Sequence, residues 1–446
     1  MKSVAKQILF YIYLMAYKFK NWAGNVTGTA EYYFQPTSEK EIIEIVKDAV
    51  AKNKKIKLVG AAHSWSALAL PMHYLINLDK YSKVINIDKE KKQVTIQAGT
   101  RLKNLNVLLR ENGLSLANLG SVSEQSIAGA TATGTHGTGI KFGNISTQII
   151  GMKLILADGS VLTISENENT ELLPAVRINL GVLGIVSELT IQCVDVFNLH
   201  DESYALPFEE TLQKIPELIK TTDHLKLWWF PHAPLVGIYR YFRTQEELKP
   251  RSSFQKFMDD SFLVNVFFVF MLRLGDWFPK LVPPINKLIN KIHFKKVSRI
   301  EKTWEVFNVP MPPIHFETEY AIPVEYASEA LKKLKEMIER KKLHINFVVE
   351  VRFVKADDTW LSPAYKQDAC YIGAYQYGNR YWKDYMTGFE ELMYAYSGRP
   401  HWPKEFTPDA EKISKSFPEF EKFKQLKNKL DSKGVFNNAL TECLFS

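Results

Sequence analysis

From Gly120 to Gly139 the chain reads Gly-Ser-Val-Ser-Glu-Gln-Ser-Ile-Ala-Gly-Ala-Thr-Ala-Thr-Gly-Thr-His-Gly-Thr-Gly. No other stretch constrains the fold as much. Small residues and hydroxyls dominate the whole length of this segment. Its N–H groups can then approach a ligand closely and point at phosphate oxygens. The pattern is not the dinucleotide Gly-x-Gly-x-x-Gly fingerprint, because it does not open a helix after a first strand. It is not a Walker A loop, because no Gly-Lys-Ser/Thr occurs in it. Ile127, Ala128, Ala130 and Ala132 run through it without Pro/Ser-rich flanks, so it does not read as a flexible linker.

A second bare loop precedes it. Ile56-Lys-Leu-Val59 predicts a strand, which runs into Gly60-Ala-Ala-His-Ser-Trp-Ser66. A lone histidine is most often structural or exposed, but His63 stands in a small-residue loop directly after a strand, where sites concentrate. Around these loops the chain reads as α+β in two halves. Ser38-x-x-Glu41 reads as a capping box opening a helix with Ile42, Ile43, Ile45, Val46 and Val50 on one side. Val84–Asp88 and Gln93–Gln97 predict a hairpin, and a helix follows near Leu102–Glu111. Met152–Ala157 and Val161–Ser165 predict another hairpin, across an Asp158-Gly159 dipeptide suited to a type I′ turn. Strands are expected at 225–230 and 236–242, and a strand–helix–strand unit over 316–352. We expect an N-terminal apolar segment over 1–25, a first domain over 26–195 and a second over 196–400. The second carries an aromatic-rich insertion at 262–294, and residues 401–446 return to the first.

At 446 residues the chain is long enough for two domains, and 46% hydrophobic with 24% charged residues is a globular balance. Aromatics reach 13%, which fits a deep core, a ring-binding pocket or a membrane-facing surface alike. A net charge of +8 suits an anionic partner, a dinucleotide or a lipid surface. Nucleic acid is not expected, since the lysines are scattered and Lys52–Lys57 and Lys295–Lys296 read as solvated faces. Cys193, Cys370 and Cys443 make neither a disulfide framework nor a metal pair. Two apolar runs, Ile8–Tyr17 and Phe262–Leu272, are too short to span a bilayer. Each predicts a buried helix or a helix lying on a membrane surface, which leaves the location open between membrane-associated and cytoplasmic.

Glu350-Val-Arg352 lies on a predicted strand, where i and i+2 share a face. A charged pair pointing inward among Phe347, Val348, Val349 and Phe353 is either a structural salt bridge or a site.

Val59–Ser66 together with Glu124–Gly139 resembles the vanillyl-alcohol-oxidase-type FAD fold. Within that fold the chain is similar to the sugar-1,4-lactone oxidases, and most of all to the L-gulonolactone oxidase branch. The likeness extends over Asn21-Trp-Ala-Gly24, Trp229-Phe-Pro-His232, Glu350-Val-Arg352, Leu361-Ser-Pro363 and Gly398-Arg-Pro-His-Trp-Pro-Lys404. It implies a two-subdomain FAD-binding domain and an α+β substrate, or cap, domain. It implies that His63 bonds FAD covalently. Gly60, Ala61, Ala62, Ser64, Ser126, Gly129, Thr133, Gly134, Thr135, His136 and Gly137 would cradle the cofactor, with Ile185 near its adenine side. Gly120 would face the flavin and leave a passage for O₂. Glu350, Arg352 and Lys404 would place the substrate, with His401 and Ser126 as further contacts. No metal is implied.

The resemblance further implies oxidation of a sugar-1,4-lactone (L-gulono-, L-galactono- or D-arabinono-) at C2 by hydride transfer to flavin N5. O₂ would become H₂O₂, and the product would be ascorbate or an analogue. Polyol-oxidising relatives carry a histidine where this chain has Gly373, which favours a lactone and leaves the proton acceptor unassigned. A dehydrogenase with another acceptor, a polyol or sugar oxidase, and a membrane-associated carrier without turnover stand as alternatives.

Overall fold

The structure, a computed structural model, describes residues 14–308 and 313–445. The chain opens with β1 (Leu14–Lys20), β2 (Thr27–Phe34), β3 (Ile56–Val59) and β4 (Tyr74–Asn77), which form a sheet in the order β1-β2-β4-β3. Helix α1 (Glu39–Ala51) buries Ile42, Ile45, Val46 and Ala49. Ser38 caps it by accepting from the Glu41 N–H, while the Glu41 carboxylate turns back to the N–H and hydroxyl of Thr37. The reciprocal half of the capping box thus closes one residue early.

Next come β5 (Val84–Asp88), β6 (Gln93–Gln97), α2 (Leu102–Glu111), β7 (Leu114–Ser115), α3 (Ile127–Ala132), β8 (Ile149–Ile155), β9 (Val161–Ile164), β10 (Ile185–Gln192) and β11 (Val194–Asp195). Five strands pair as β5-β6-β10-β8-β9, and β7 pairs with β11. The β8–β9 connection departs from the expected type I′ turn. Gly159 takes φ +81° but Asp158 is not left-handed, and the Gly159 N–H donates to the Leu156 carbonyl. This is the longer hairpin loop, a type I turn followed by a left-handed glycine.

The second half is one antiparallel eight-stranded sheet. Its strands are β12 (Asn198–Pro207), β13 (His224–Trp229), β14 (Leu235–Thr244), β15 (Val297–Lys302), β16 (Phe316–Pro323), β17 (Val349–Val354), β18 (Ala369–Gln376) and β19 (Arg399–Pro400). They lie in the order β15-β12-β14-β13-β17-β18-β16-β19. Strand alternation gives this sheet two unlike faces. Leu225, Leu227, Trp229, Val349, Val351 and Phe353 are fully buried in the apolar core. The helices Phe208–Thr221, Ala327–Arg340 and Trp382–Ala395 pack on the sheet and on one another. The other face carries Lys226, Trp228, Glu350 and Arg352, and it turns toward the first half of the chain.

The last residues return to the first sheet. Ile56 N–H donates to the Val435 carbonyl, Lys57 Nζ to the Phe436 carbonyl at 2.8 Å, and Asn438 Nδ2 to the carbonyls of Ala67, Leu68 and Leu70.

The first apolar run differs from the helix expected, and the second does not. Residues 14–17 of the first are strand, paired on β2, with Tyr17 stacked on Tyr33 at 4.3 Å. A segment rich in aromatics and Ile takes the extended form when an edge is offered to it. Residues 8–13 lie outside the described residues. The second run is helical, within Ser253–Trp277. It is only partly buried: Val266 is 56% exposed and Phe270 55%, while Leu272 is buried.

Candidate active site

Two openings meet at His63. The first is a cleft of about 140 Å³ between the loop after β3 and the residues around α3. Gly60, Ala61, Ala62, His63, Ser64, Ser126, Gly129 and Thr133 line it. Its walls are mostly main chain and small side chains, the surface that suits a pyrophosphate. The two loops touch so closely that a Cβ on Gly60 would lie 2.3 Å from the Ser126 hydroxyl. Ala62 holds φ +55°, a strained value for a residue with a side chain, immediately before His63. The strain is held by neighbours. Trp22 N–H donates to the Ala62 carbonyl at 2.8 Å, Asn21 Nδ2 to the Ser64 carbonyl at 2.8 Å and Asn25 Nδ2 to the Trp65 carbonyl at 3.0 Å. Trp65 N–H donates to the Pro403 carbonyl, and Ser66 Oγ to that of Trp402. Two of the sequence motifs therefore clamp the His63 loop from opposite sides.

The second opening is a cavity of about 530 Å³ under the eight-stranded sheet. His63 and Gln125 line both openings. Burial lowers the basicity of His63, Arg101 and Lys404 add to that, and Glu124 opposes it. The imidazole is thereby favoured in its neutral, nucleophilic form.

Glu350 and Arg352 face this cavity from β17 and are 6% and 7% exposed. Glu350 Oε1 accepts from Arg352 Nη2 at 2.8 Å and from Trp228 Nε1 at 2.9 Å, and Oε2 accepts from the Tyr375 hydroxyl at 2.7 Å. Burial alone would raise the Glu350 carboxyl. The charges of Arg352 and then Lys226 outweigh it, with the donated hydrogen bonds, and hold it at about 2. Arg352 also donates to the Ser121 hydroxyl and reaches the His136 carbonyl at 3.5 Å, yet its buried Nε has no hydrogen-bond partner. A guanidinium with an unsatisfied donor on a cavity-lining residue calls for a reason beyond structure.

The same sheet face continues onto β16, two strands from β17, with the 398–404 segment beside it. Lys404 ion-pairs with Glu317 and lies 4.3 Å over the Trp65 ring. Glu319 sits between two imidazoles, His136 Nε2 at 3.2 Å and His401 Nε2 at 3.9 Å. Burial raises its carboxyl, but His136, His401 and Lys404 together hold it well below the usual range. The donor atoms of these three residues lie within 4.8 Å of one another, as metal ligands can. Arg352 and Lys404 bear on the same group, however, so it reads as a carboxylate balanced by nearby cations. His401 is 3% exposed and faces the cavity, while its neighbour Trp402 turns into the core against Phe417.

The residues singled out from sequence thus divide. Eight line the cleft. Thr135 and His136 line the cavity with Glu350, Arg352, His401 and Lys404. Ser126 lies in the cleft under Gly60, and Ser121 is the serine beside Arg352. Gly120, Gly134, Gly137 and Ile185 line neither opening. Gly134 turns the chain at φ +69°, a Cβ on Gly137 would strike Asn118, and Ile185 is core. Gly120 sits behind Ser121 with its bare Cα toward the Thr135 methyl. Sequence reading missed Ser121, Lys226, Trp228, Glu317, Glu319 and Tyr375. The alternation Glu317-x-Glu319 within an apolar strand carried the same signal as Glu350-x-Arg352.

Residues 30–165 match the family model of an FAD binding domain. Over 98% of its length the chain superposes on 98% of a cholesterol oxidase from B. sterolicum, with a TM-score of 0.82 at 15% identity. The fold and cleft define an FAD-dependent oxidoreductase of the vanillyl-alcohol-oxidase type. The second half narrows the class, because residues 189–444 match the family model of D-arabinono-1,4-lactone oxidase. The chain is 36% identical to an L-gulonolactone oxidase of Scyliorhinus torazame, over 97% of this chain and 99% of that one. It is 33% identical to an L-gulono-1,4-lactone dehydrogenase of Mycobacterium tuberculosis, over 94% and 97%. The chain belongs to the D-arabinono-1,4-lactone oxidase family.

Proposed function

We propose that this protein oxidises a sugar-1,4-lactone at its C2 hydroxyl, with FAD tethered through His63 and O₂ as the final electron acceptor. The observation that carries the reading is the placement of His63. It stands where the phosphate-suited cleft opens into the cavity walled by Glu350 and Arg352. Bound there, FAD supplies the acceptor for the two electrons and the carbon-bound hydrogen that the alcohol loses. The chain's own residues bind and orient the lactone. Glu350, held ionised with three donors already on its two oxygens, has a remaining acceptor site for a substrate hydroxyl. Arg352 lines the cavity and offers guanidinium N–H groups to a ring or carbonyl oxygen, and Lys404 adds positive charge beside β16. Fixing a hydroxylated carbon between these groups supplies much of the rate enhancement. The proton of the hydroxyl leaves to base or solvent, and the 2-keto lactone enolises to an ene-diol.

The test is spectroscopic. The purified protein shows flavin bands, which bleach anaerobically with L-gulono-, L-galactono- or D-arabinono-1,4-lactone. Bands that stay oxidised with all three rule the reading out. Peroxide formed under air distinguishes an oxidase from a dehydrogenase.

The helical insertion supports peripheral contact with an anionic bilayer. Phe254, Phe257, Phe270, Trp277 and Phe278 are each more than half exposed. Between residues 253 and 296 seven Lys/Arg face three Asp. Apolar rings flanked by excess positive charge make a membrane-surface element. Among the described residues no helix is long and apolar enough to cross a membrane. Sedimentation with phosphatidylserine vesicles, lost in a Phe270→Ser/Trp277→Ser variant, is the expected outcome.

A further inference from the structure

Lys226 is a charged side chain of the cavity to which the proposed reaction gives no part. It is 4% exposed, lines the cavity and lies on β13 directly opposite Arg352 of β17. Neighbouring strands stand about 4.8 Å apart, so Lys226 is one strand beyond the Glu350–Arg352 pair. Trp228, Tyr239 and Tyr241 surround its ammonium, with ring centroids at 4.4, 4.7 and 6.0 Å. Among the described residues nothing gives it a salt bridge or a hydrogen bond. The carboxylates in reach are already taken. Glu350 is held by Arg352, Trp228 and Tyr375. Asp201 is held by Arg299 and Ser203.

A buried ammonium has three N–H donors, and the faces of three rings offset only part of its lost hydration. Burial lowers its affinity for the proton, with Arg352 and Arg299 pushing the same way and Glu350 and Asp201 opposing. A lysine kept for structure alone would be expected to reach a carbonyl or carboxylate, as Lys57 does. Lys226 instead presents its donors to the cavity, beside the residues that would hold the lactone.

We propose that Lys226 is a specificity-determining residue that hydrogen-bonds the terminal C6 hydroxyl of a six-carbon sugar-1,4-lactone. The inference rests on the lactone reading above. With the reacting end of the ring between His63 and Arg352, the side chain on C4 extends along the sheet toward β13. A five-carbon lactone ends one carbon earlier and lacks that hydroxyl. The aromatic box leaves the ammonium few other polar partners, so the missing hydroxyl would be felt as an unsatisfied donor.

The test compares Lys226→Met with wild type, both with flavin bound. The probes are the 2-deoxy analogues of L-gulono- and D-arabinono-1,4-lactone, which lack the reacting hydroxyl and bind without turnover. Calorimetry gives both dissociation constants. The preference for the six-carbon over the five-carbon probe is expected to fall about 10- to 100-fold in Lys226→Met, with Lys226→Arg keeping part of it. Lys226→Gln serves the same comparison where the Met variant does not fold. An unchanged preference overturns the assignment. In parallel, wild-type flavin is mixed anaerobically with the two intact lactones. Bleaching together with an unchanged preference refutes the Lys226 role alone, whereas no bleaching by either lactone removes the lactone reading and the inference with it.

Discussion

Glu350 and Arg352 are predicted to act as one unit, which a double-mutant cycle can establish. Glu350→Gln keeps the shape of the side chain but leaves the buried Arg352 guanidinium without its counter-charge. The cost follows from the carboxyl. Its ordinary value of 4.5 is held down to about 2 by Arg352 and Lys226 against the effect of burial. That lowering corresponds to about 3 kcal/mol of preferential stabilisation of the ionised form. Because the folded state lowers the carboxyl, this stability is fully present above pH 4.5 and is lost as pH falls toward 2. Arg352→Met strands the carboxylate instead and should cost about 3–5 kcal/mol. The double variant leaves neither charge exposed to an apolar wall. It should be more stable than the sum of the single losses predicts by at least about 2 kcal/mol. Denaturant unfolding followed by tryptophan emission reads these values, since Trp228 bonds Glu350 directly. Bleaching of the flavin by lactone should slow by about 10²- to 10³-fold in each single variant, and by little more in the double. Stability losses that add to within about 0.5 kcal/mol would show that the two residues act independently and refute the reasoning.

Three further outcomes are expected. After acid precipitation the wild-type pellet stays yellow, whereas His63→Ala gives a white pellet; a white wild-type pellet disproves the tether. Gly120→Ala places a methyl 2.9 Å from the Thr135 side chain and should slow reoxidation by O₂ in stopped flow, with little change in anaerobic bleaching. Lys57 is buried, which lowers its ammonium to about 7 against the nearby charge of Asp431. The unfolded chain then binds the proton more tightly between about pH 7 and 10.5, so stability rises with pH across that window. Lys57→Met should flatten this rise in a pH series of melting temperatures.

What the sequence reveals depends on how local the deciding physics is. The helices at Glu39–Ala51 and Leu102–Glu111 and both hairpins are legible, because periodicity and turn residues specify them. The turn type at Asp158-Gly159 is not, because loop length and strand register choose between solutions that the same dipeptide permits. The Glu350–Arg352 pair is legible because two charges on one face of an apolar strand demand a reason. Lys226 is not, because His-Leu-Lys-Leu-Trp-Trp has the alternation of any strand with one solvated face. Which face is wet is decided by what covers it. Here helices cover one side, while the first domain and the 253–293 insertion enclose the other. Ser121 is hidden for a related reason. Among many small hydroxylated residues, only the fold shows which one meets Arg352.

Gly373 shows how an absent side chain shapes the cavity. The sheet register runs Trp228, Glu350, Gly373, Glu319 across four neighbouring strands. Two carboxylates therefore face the same cavity with only a glycine between them. A Cβ at this position would lie 3.3 Å from the Tyr375 hydroxyl. A ring there would displace that hydroxyl, which donates to Glu350 at 2.7 Å. Burial keeps Tyr375 protonated, so the donor persists at any pH the fold survives. Replacing Gly373 by histidine would remove one of the three donors that keep Glu350 ionised. Glycine instead leaves room for the Tyr375 hydroxyl, which holds the Glu350 carboxylate in place at the cavity wall.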